Sequence, residues 1–298
     1  MKQTHQNCLV CKSNSITPFI NCKDYFVSGE TFELYHCKDC GFIFTQHIPT
    51  ASEIGPYYQS ETYISHSNSR QGITNKLYHT VRNIMLHRKY RLIKKYTDGK
   101  ELLDIGCGTG HFANYMHKMG YHSKGLEPDA NARKFAREQF HLPVEEPEKV
   151  LAEDHTDQYN VITLWHVLEH LHDPARYLAW IHCALKNEGV LVIALPNCSS
   201  LDAQFFKAYW AAYDVPRHIW HFTPKTFTAF ALKSGFSVQQ IKRLPFDAYY
   251  NSLLSLRYKK SRLALPLGFL IGFVSNLKSL ICPKTASSVI YVLRKQAY

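Results

Sequence analysis

Residues 102–112, LLDIGCGTGHF, constrain this 298-residue chain more than any other stretch. An apolar run carrying Asp104 passes through glycines at 106, 108 and 110 into ANYMHKM, whose pattern reads as a helix. A strand that turns through glycines into a helix presents bare backbone to a ligand at the carboxyl edge of a parallel sheet. A dinucleotide fingerprint needs its third glycine at 111, where this chain has His111, so GxGxxG fails and GxGxG fits. The lysine of a phosphate-cradling P-loop is absent. A second strand, YHSKGLE, ends in Glu127, twenty-one residues beyond Gly106. At that offset a carboxylate can accept hydrogen bonds from both hydroxyls of a ribose.

Further strands follow at intervals. PVEE (143–146) is a weak candidate for a third, YNVITLW (159–165) a clear fourth, and NEGVLVIALPN (187–197) a fifth, entered at Gly189 and left at Pro196. Residues 236–243 and 288–293 read as two closing strands. Strands alternating with helices imply a mostly parallel sheet covered on both faces, with a crevice where the loops after the first, fourth and fifth strands converge.

Over residues 101–238 the chain resembles the class I S-adenosylmethionine-dependent methyltransferases, on the strength of Asp104, the GxGxG loop, Glu127 and the segment HVLEHLHDP after the fourth strand. The resemblance implies a doubly wound, mostly parallel, seven-stranded Rossmann-like α/β sheet with S-adenosylmethionine as cofactor. It implies that Asp104 and the loop Gly106, Cys107, Gly108 and Gly110 hold the methionine part, that Glu127 holds the ribose, and that His166 is also a cofactor-binding residue. A sulfonium nucleoside suits carboxylates and a glycine turn. Cys107 reads as a small space-filler rather than a nucleophile. His166, Glu169 and His170 also spell HxxEH, but Pro174 and the preceding strand place them at a sheet edge instead of inside the long helix a zinc peptidase needs. Some quinone O-methyltransferases of the family look as if they bind a divalent ion here. In this chain His166 stands where one of their acids is expected, so a second metal at His166, Glu169 and His170 stays open beside local capping and ion pairing.

Cys8 and Cys11 form one CxxC pair and Cys37 and Cys40 another, twenty-five residues apart. Each pair can clasp one side of a tetrahedral Zn²⁺, giving a closed Cys₄ site that folds a small zinc-ribbon-like module and does no chemistry. Gly41, directly after the last cysteine, is where such a knuckle turns, and the lone Cys22 reads as packing. Nine cysteines cannot all pair internally and the first residues carry no apolar signal core, so the expected setting is cytoplasmic, with reduced thiols.

Residues 213–227, YDVPRHIWHFTPKTF, are unusually polar for a loop, and similar methyltransferases carry a comparable segment over the substrate pocket. Methyl transfer from a sulfonium is an in-line displacement governed by positioning. A hydroxyl acceptor also needs a base, for which His218 is the first candidate and His221 the second, while either could instead fix the loop. Arg217 could grip an anionic acceptor or pair with Asp214, and Trp220 reads as packing. Thr223 followed by Pro224 marks a helix start.

The expected division is a zinc module at 1–48, a linker at 49–70 containing the Ser/Asn-rich stretch 65–69, and the methyltransferase domain at 71–298 with a hydrophobic insertion at about 257–283. Within 72–96, apolar residues recur at near-helical spacing beside seven Lys or Arg and no acid, read as a solvated basic face. The insertion is basic at 257–262 and oily at 263–277, consistent with a core or dimer-facing helix, an interfacial helix meeting the inner face of a membrane through 257–281, or, less readily, a span. Three functions are weighed. One is a methyltransferase for a small molecule or a glycan- or lipid-linked precursor; comparable zinc modules precede some sugar C-methyltransferases, although their extra C-terminal domain is not evident here. Another is an RNA methyltransferase, favoured by the formal charge of +11 and opposed by WHVLEH standing where an NPPY-like motif would be. The last is a scaffold that has lost its chemistry, opposed by the intact loop and acids.

Overall fold

A computed structural model describes residues 2–58, 73–153 and 155–296; the stretch 65–69 and the side chains of Ile73 and Leu77 lie outside the described residues. The N-terminal part contributes β1 (Lys2–Gln3), β2 (Ile16–Lys23), β3 (Thr31–Cys37), β4 (Ile43–Thr45) and β5 (Ile48–Pro49). Helix α1 (Ile73–Lys94) leads to β6 (Glu101–Ile105), α2 (His111–Lys118), β7 (His122–Leu126), α3 (Ala130–Phe140), β8 (Val144–Glu145), α4 (Pro147–Leu151), β9 (Tyr159–Trp165), α5 (Pro174–Ala184) and β10 (Leu185–Pro196). The remainder is α6 (Leu201–Phe206), β11 (Trp220–His221), α7 (Pro224–Lys233), β12 (Phe236–Leu244), α8 (Asp247–Tyr258), α9 (Ala264–Ile281) and β13 (Ser288–Lys295).

Seven strands form one sheet in the order β12-β13-β10-β9-β6-β7-β8. The neighbours from β10 to β8 are all parallel, whereas β13 runs antiparallel to both β10 and β12. Strands β6, β9 and β10 are covered on both faces, which explains their continuous apolar runs. The weak third strand is a two-residue edge at β8. Side-chain caps start the helices that return the chain: Asp129 for α3, Asp173 for α5, Ser200 for α6, and Thr223 with Thr226 in a reciprocal capping box for α7.

Strands β2, β3 and β4 make an antiparallel sheet whose fourth member, β11, comes from the far end of the chain, with Trp220 opposite Phe44 and His221 opposite Ile43. The core is shared as well: Cys8, Val10, Phe42, Phe44 and Ile48 pack in one cluster with Ile105, Leu164, Leu168 and Phe222. The two expected parts are therefore joined edge to edge, and residues 220–221 are the splice. The hydrophobic insertion is a helical pair that begins at Asp247 rather than near 257. The first helix of that pair lacks an apolar run because its buried face is Ala248, Asn251, Ser252 and Ser255, closed by Leu256.

Candidate active site and cysteine cluster

Strand β6 delivers Asp104, 2% exposed, to the carboxyl edge of the sheet, where the Thr163 hydroxyl donates to its Oδ1 at 2.6 Å. Burial pushes the Asp104 carboxyl up to about 7, opposed by that hydrogen bond and by the Lys89 ammonium. The chain then turns through Gly106 and Gly108, with φ of 68° and 54°. A Cβ on Gly106 would lie 2.4 Å from Val167, so the turn is pressed against the loop that follows β9. A Cβ on Gly108 would meet nothing within 4 Å, and this open backbone faces outward beside Glu127. Gly110 closes the turn against Ala136.

Glu127 is buried and ties the loop to the end of β7. Its Oε2 accepts from Gly108 N–H at 2.7 Å and its Oε1 from Asp129 N–H at 3.0 Å. Burial raises its carboxyl above the ordinary range. Two backbone bonds leave part of the carboxylate's acceptor capacity for hydroxyls. The donor set suits a sulfonium nucleoside: two buried carboxylates border a glycine turn with open space around Gly108. Cys107, by contrast, turns behind the loop, where its Sγ fills the space over Gly125. Only its backbone belongs to the cradle, its side chain being a spacer.

His166 holds a left-handed conformation, φ 58°, and is one-third exposed. Its Nδ1 lies 3.3 Å from Glu169 Oε1 and its Nε2 3.2 Å from Asp247 Oδ2. Burial alone would lower its pKa, but these two carboxylates raise it to about 10. His166 is thus a cation bracing the cofactor edge to the start of α8. Two further residues here gave no sequence signal. Lys89 belongs to the basic helix read as solvated, yet its ammonium lies 3.8 Å from the Trp165 ring centroid; burial lowers its pKa to about 8, opposed by Asp104 and Asp247. Asp247 follows no recognisable motif at all.

The second cluster adjoins Val167. Ligating atoms of Glu169, His170 and His218 lie within 4.8 Å of one another. His170 Nδ1 sits 3.1 Å from the Arg217 carbonyl and His218 Nδ1 2.8 Å from the Ala212 carbonyl. A carbonyl only accepts, so the Ala212 carbonyl assigns His218 Nδ1 a proton, while His170 Nδ1 also meets the Tyr58 hydroxyl at 3.1 Å and His218 Nε2 lies 4.0 Å from Asp214 Oδ2. Glu169 is 1% exposed, and its Oε2 is buried without a partner. Burial would raise the Glu169 carboxyl, but His166, His170 and His218 bring it below its ordinary value. Burial next to His218 lowers His170 to about 4 and keeps it neutral. The cluster therefore gathers a buried carboxylate with one unpartnered oxygen and two imidazoles, a set suited to a proton or to a cation.

His221 does not join it. The ring is buried against Tyr213, and its Nε2 donates to the Thr45 hydroxyl at 2.9 Å, which itself donates to the His218 carbonyl at 2.8 Å. Burial puts its pKa well below the ordinary value. His221 thus fastens β4 to the loop and is no base. Arg217 is likewise not free for an anionic acceptor. At 2% exposure its guanidinium binds Asp24 Oδ1 at 2.9 Å, Asp214 Oδ1 at 2.7 Å and the Tyr57 carbonyl at 2.8 Å. Trp220 donates to the Leu171 carbonyl and packs on Phe42.

At the far side of the N-terminal sheet the sulfurs of Cys8, Cys11, Cys37 and Cys40 lie within 4.8 Å of one another, with Cys8–Cys40 at 3.5 Å and Cys11–Cys37 at 3.4 Å. The two knuckles match. Lys12 N–H bonds back to Cys8 O and Gly41 N–H to Cys37 O, and Lys12 and Gly41 both have positive φ. Tetrahedral zinc at about 2.3 Å from each sulfur would hold sulfurs roughly 3.8 Å apart, so the donor set and spacing fit that ion. Cys22 packs between Phe32 and Trp210 as a small core residue.

Residues 77–241 match a family model described as a methyltransferase domain. A ubiquinone biosynthesis O-methyltransferase of Aeromonas salmonicida is 38% identical over 108 residues, covering 33% of this chain and 44% of the relative. That of Psychrobacter arcticus is 29% identical over 169 residues, covering 50% and 63%. The chain thus spans less than two thirds of the length of these curated relatives. Among solved structures, a SAM-dependent methyltransferase from Archaeoglobus fulgidus superposes with a TM-score of 0.51 at 19% identity, covering 72% of this chain and 94% of that one. Magnesium protoporphyrin IX methyltransferase from Synechocystis, solved with bound SAH, gives 0.53 at 10% identity, covering 80% and 97%.

Proposed function

Because this chain belongs to the methyltransferase-domain family and is an S-adenosylmethionine-dependent enzyme, we propose that it methylates a hydroxyl of a small or lipid-linked acceptor, with His218 as the base. The observation that carries this reading is the buried cluster of Glu169, His170 and His218, held beside the glycine loop by Val167 packing on Gly106. The name O-methyltransferase carried by the relatives supports a hydroxyl acceptor.

The cofactor supplies an electrophilic methyl group on a sulfonium. In this reading Asp104 faces its cationic part, Lys89 is the cation available to its carboxylate, and Glu127 takes the ribose hydroxyls. The Ala212 carbonyl fixes the His218 tautomer, so Nε2 is the basic atom presented to an acceptor hydroxyl. His218 Nε2 would take the proton of the acceptor hydroxyl, and the cofactor, when bound, would supply the methyl group to that oxygen and keep the carbon–sulfur electron pair. Glu169, buried with one oxygen unspent, stabilises the imidazolium that forms. His218→Gln is expected to lower kcat by at least about a hundredfold while calorimetry shows unchanged S-adenosylhomocysteine affinity. Full activity in that variant would remove His218 from the role. Glu127→Ala should weaken the cofactor roughly tenfold to a hundredfold, the worth of hydrogen bonds to a charged group.

The four cysteines in this reading bind one structural Zn²⁺ and make residues 1–48 a zinc module. Metal analysis of the purified chain should find about one zinc per chain. Chelation should unfold the N-terminal sheet, and no zinc at native stability would refute the assignment.

A further inference from the structure

Helix α9 is built inside out for a water-soluble protein. Its buried positions are small or polar: Gly268, Gly272, Ser275, Asn276 and Ser279. Nine large apolar side chains face outward instead, among them Leu265 at 71% exposure, Phe269 at 64% and Ile281 at 88%. The inward face packs on α8 so closely that a Cβ at Gly268 would lie 2.8 Å from Leu253 Cα, and one at Gly272 2.7 Å from Tyr249 Cα. Small residues four apart that bring two helix backbones together are the packing device of helices whose outer surfaces face lipid. Among the described residues α9 is the one helix long and apolar enough to cross a membrane, with mean hydropathy 1.6 and a third of it buried.

Crossing is opposed by its anchorage. Ser275 donates to the buried carboxylate of Asp202, which also accepts from Ser287 and the Trp210 indole, while Asn251 of α8 donates to Ser287. These bonds hold α9 along the body of the protein. Residues 248–287 carry Arg257, Lys259, Lys260, Arg262, Lys278 and Lys284 and no Asp or Glu, and the one acid of the hairpin, Asp247 at the start of α8, is paired with His166. Lys259 lies 5.3 Å from the centroid of the exposed Tyr209 ring, an arrangement of cation and amphipathic aromatic suited to headgroup depth.

We infer that the α8–α9 hairpin docks on an anionic lipid bilayer, with α9 lying in the interfacial plane, its apolar face among the acyl chains and its cations at the phosphates. An apolar stripe flanked by lysines and arginines is the signature of helices that lie on a membrane. The proposal does not depend on the identity of the methyl acceptor.

Flotation of the full chain with vesicles of phosphatidylcholine, with and without phosphatidylglycerol, tests it. The parent is expected to float with the mixed vesicles and to be released by salt. The double variant Phe269→Glu/Phe273→Glu should stay at the bottom, and so should Leu265→Gln/Ile281→Gln, which alters only the most exposed positions. Lys259→Gln/Lys260→Gln/Arg262→Gln should bind mixed vesicles roughly a hundredfold more weakly at low salt, about fivefold per cation. Calorimetric cofactor binding, unchanged in every variant, certifies the fold and keeps failure here distinct from failure of the enzymatic reading. Undiminished flotation of the Glu variant overturns the proposal. So does a parent that never floats but is a dimer by light scattering and becomes a monomer in the Glu variant, because a second copy then covers the face.

Discussion

The glycine loop at 104–110 and the strap at 214–221 are both short, polar and crowded with residues that do chemistry elsewhere, yet they are built to opposite ends. In the loop, capacity is left over. Gly108 points at open space and Glu127 keeps acceptor sites beyond its two backbone bonds. In the strap nearly everything is spent: Arg217 is saturated by Asp24, Asp214 and Tyr57, and His221 by Thr45. His218 alone straddles the two, fixed at Nδ1 by the Ala212 carbonyl at 2.8 Å and only loosely met at Nε2 by Asp214 Oδ2 at 4.0 Å. A ligand site is recognised by hydrogen-bonding capacity held in reserve, and a structural joint by its exhaustion.

That contrast can be broken at four places. The largest effect is expected from Arg217→Met, which leaves the buried carboxylate of Asp24 and the partly buried one of Asp214 without their cation and should cost about 3–5 kcal/mol of stability by chemical denaturation. Cofactor affinity of the folded fraction should be unchanged; a loss of affinity at full stability would make Arg217 part of the site after all. Gly108→Val should do the reverse. It introduces left-handed strain of about 1–2 kcal/mol and a side chain into the open space where the proposed cofactor would sit, so calorimetry should register no cofactor binding by a protein that still melts cooperatively.

A smaller effect should follow pH. Asp104 titrates at about 7 in the free protein, and a cationic ligand beside it lowers that value, so binding expels a proton. Affinity should then fall as pH drops through about 7, by up to roughly tenfold per unit, and Asp104→Asn should flatten the profile. Stability runs the other way, because a carboxyl whose pKa is raised on folding is destabilising once ionised, and the penalty grows as pH rises toward 7. The smallest expected effect is Thr45→Val, which strands the His221 donor and the His218 carbonyl and should cost about 1–2 kcal/mol. A large drop in kcat at unchanged stability would show that His218 is positioned from the N-terminal sheet.

Much of the α/β sheet was legible from one dimension because its signals are local. Apolar runs bounded by Gly189 and Pro196, or ending at Trp165, report strands buried on both faces, and Thr223-Pro224 reports a helix start whatever surrounds it. The cofactor edge was legible for the same reason, since Asp104, the glycines and Glu127 sit at fixed offsets along one strand–turn–helix–strand unit. Lys89 and Asp247 were not legible. Each looks like an ordinary surface charge until α1 and α8 are laid against the sheet edge, and the pairing of His166 with Asp247 spans eighty-one residues. The early start of the helical hairpin carries no hydrophobic signal because its buried face is largely alanine, serine and asparagine.

By itself, then, the sequence determined the places where short-range geometry decides the outcome: a glycine bend between two carboxylates, four cysteines in matched knuckles, and strands alternating with helices. Which way the polar strap faces, which helix shows its apolar side to the outside, and how the N-terminal sheet borrows its fourth strand were decided only in three dimensions. The reason is where the partners lie. A buried charge is tolerated only with its counter-charge in place, and Asp24 meets Arg217 across 193 residues of chain.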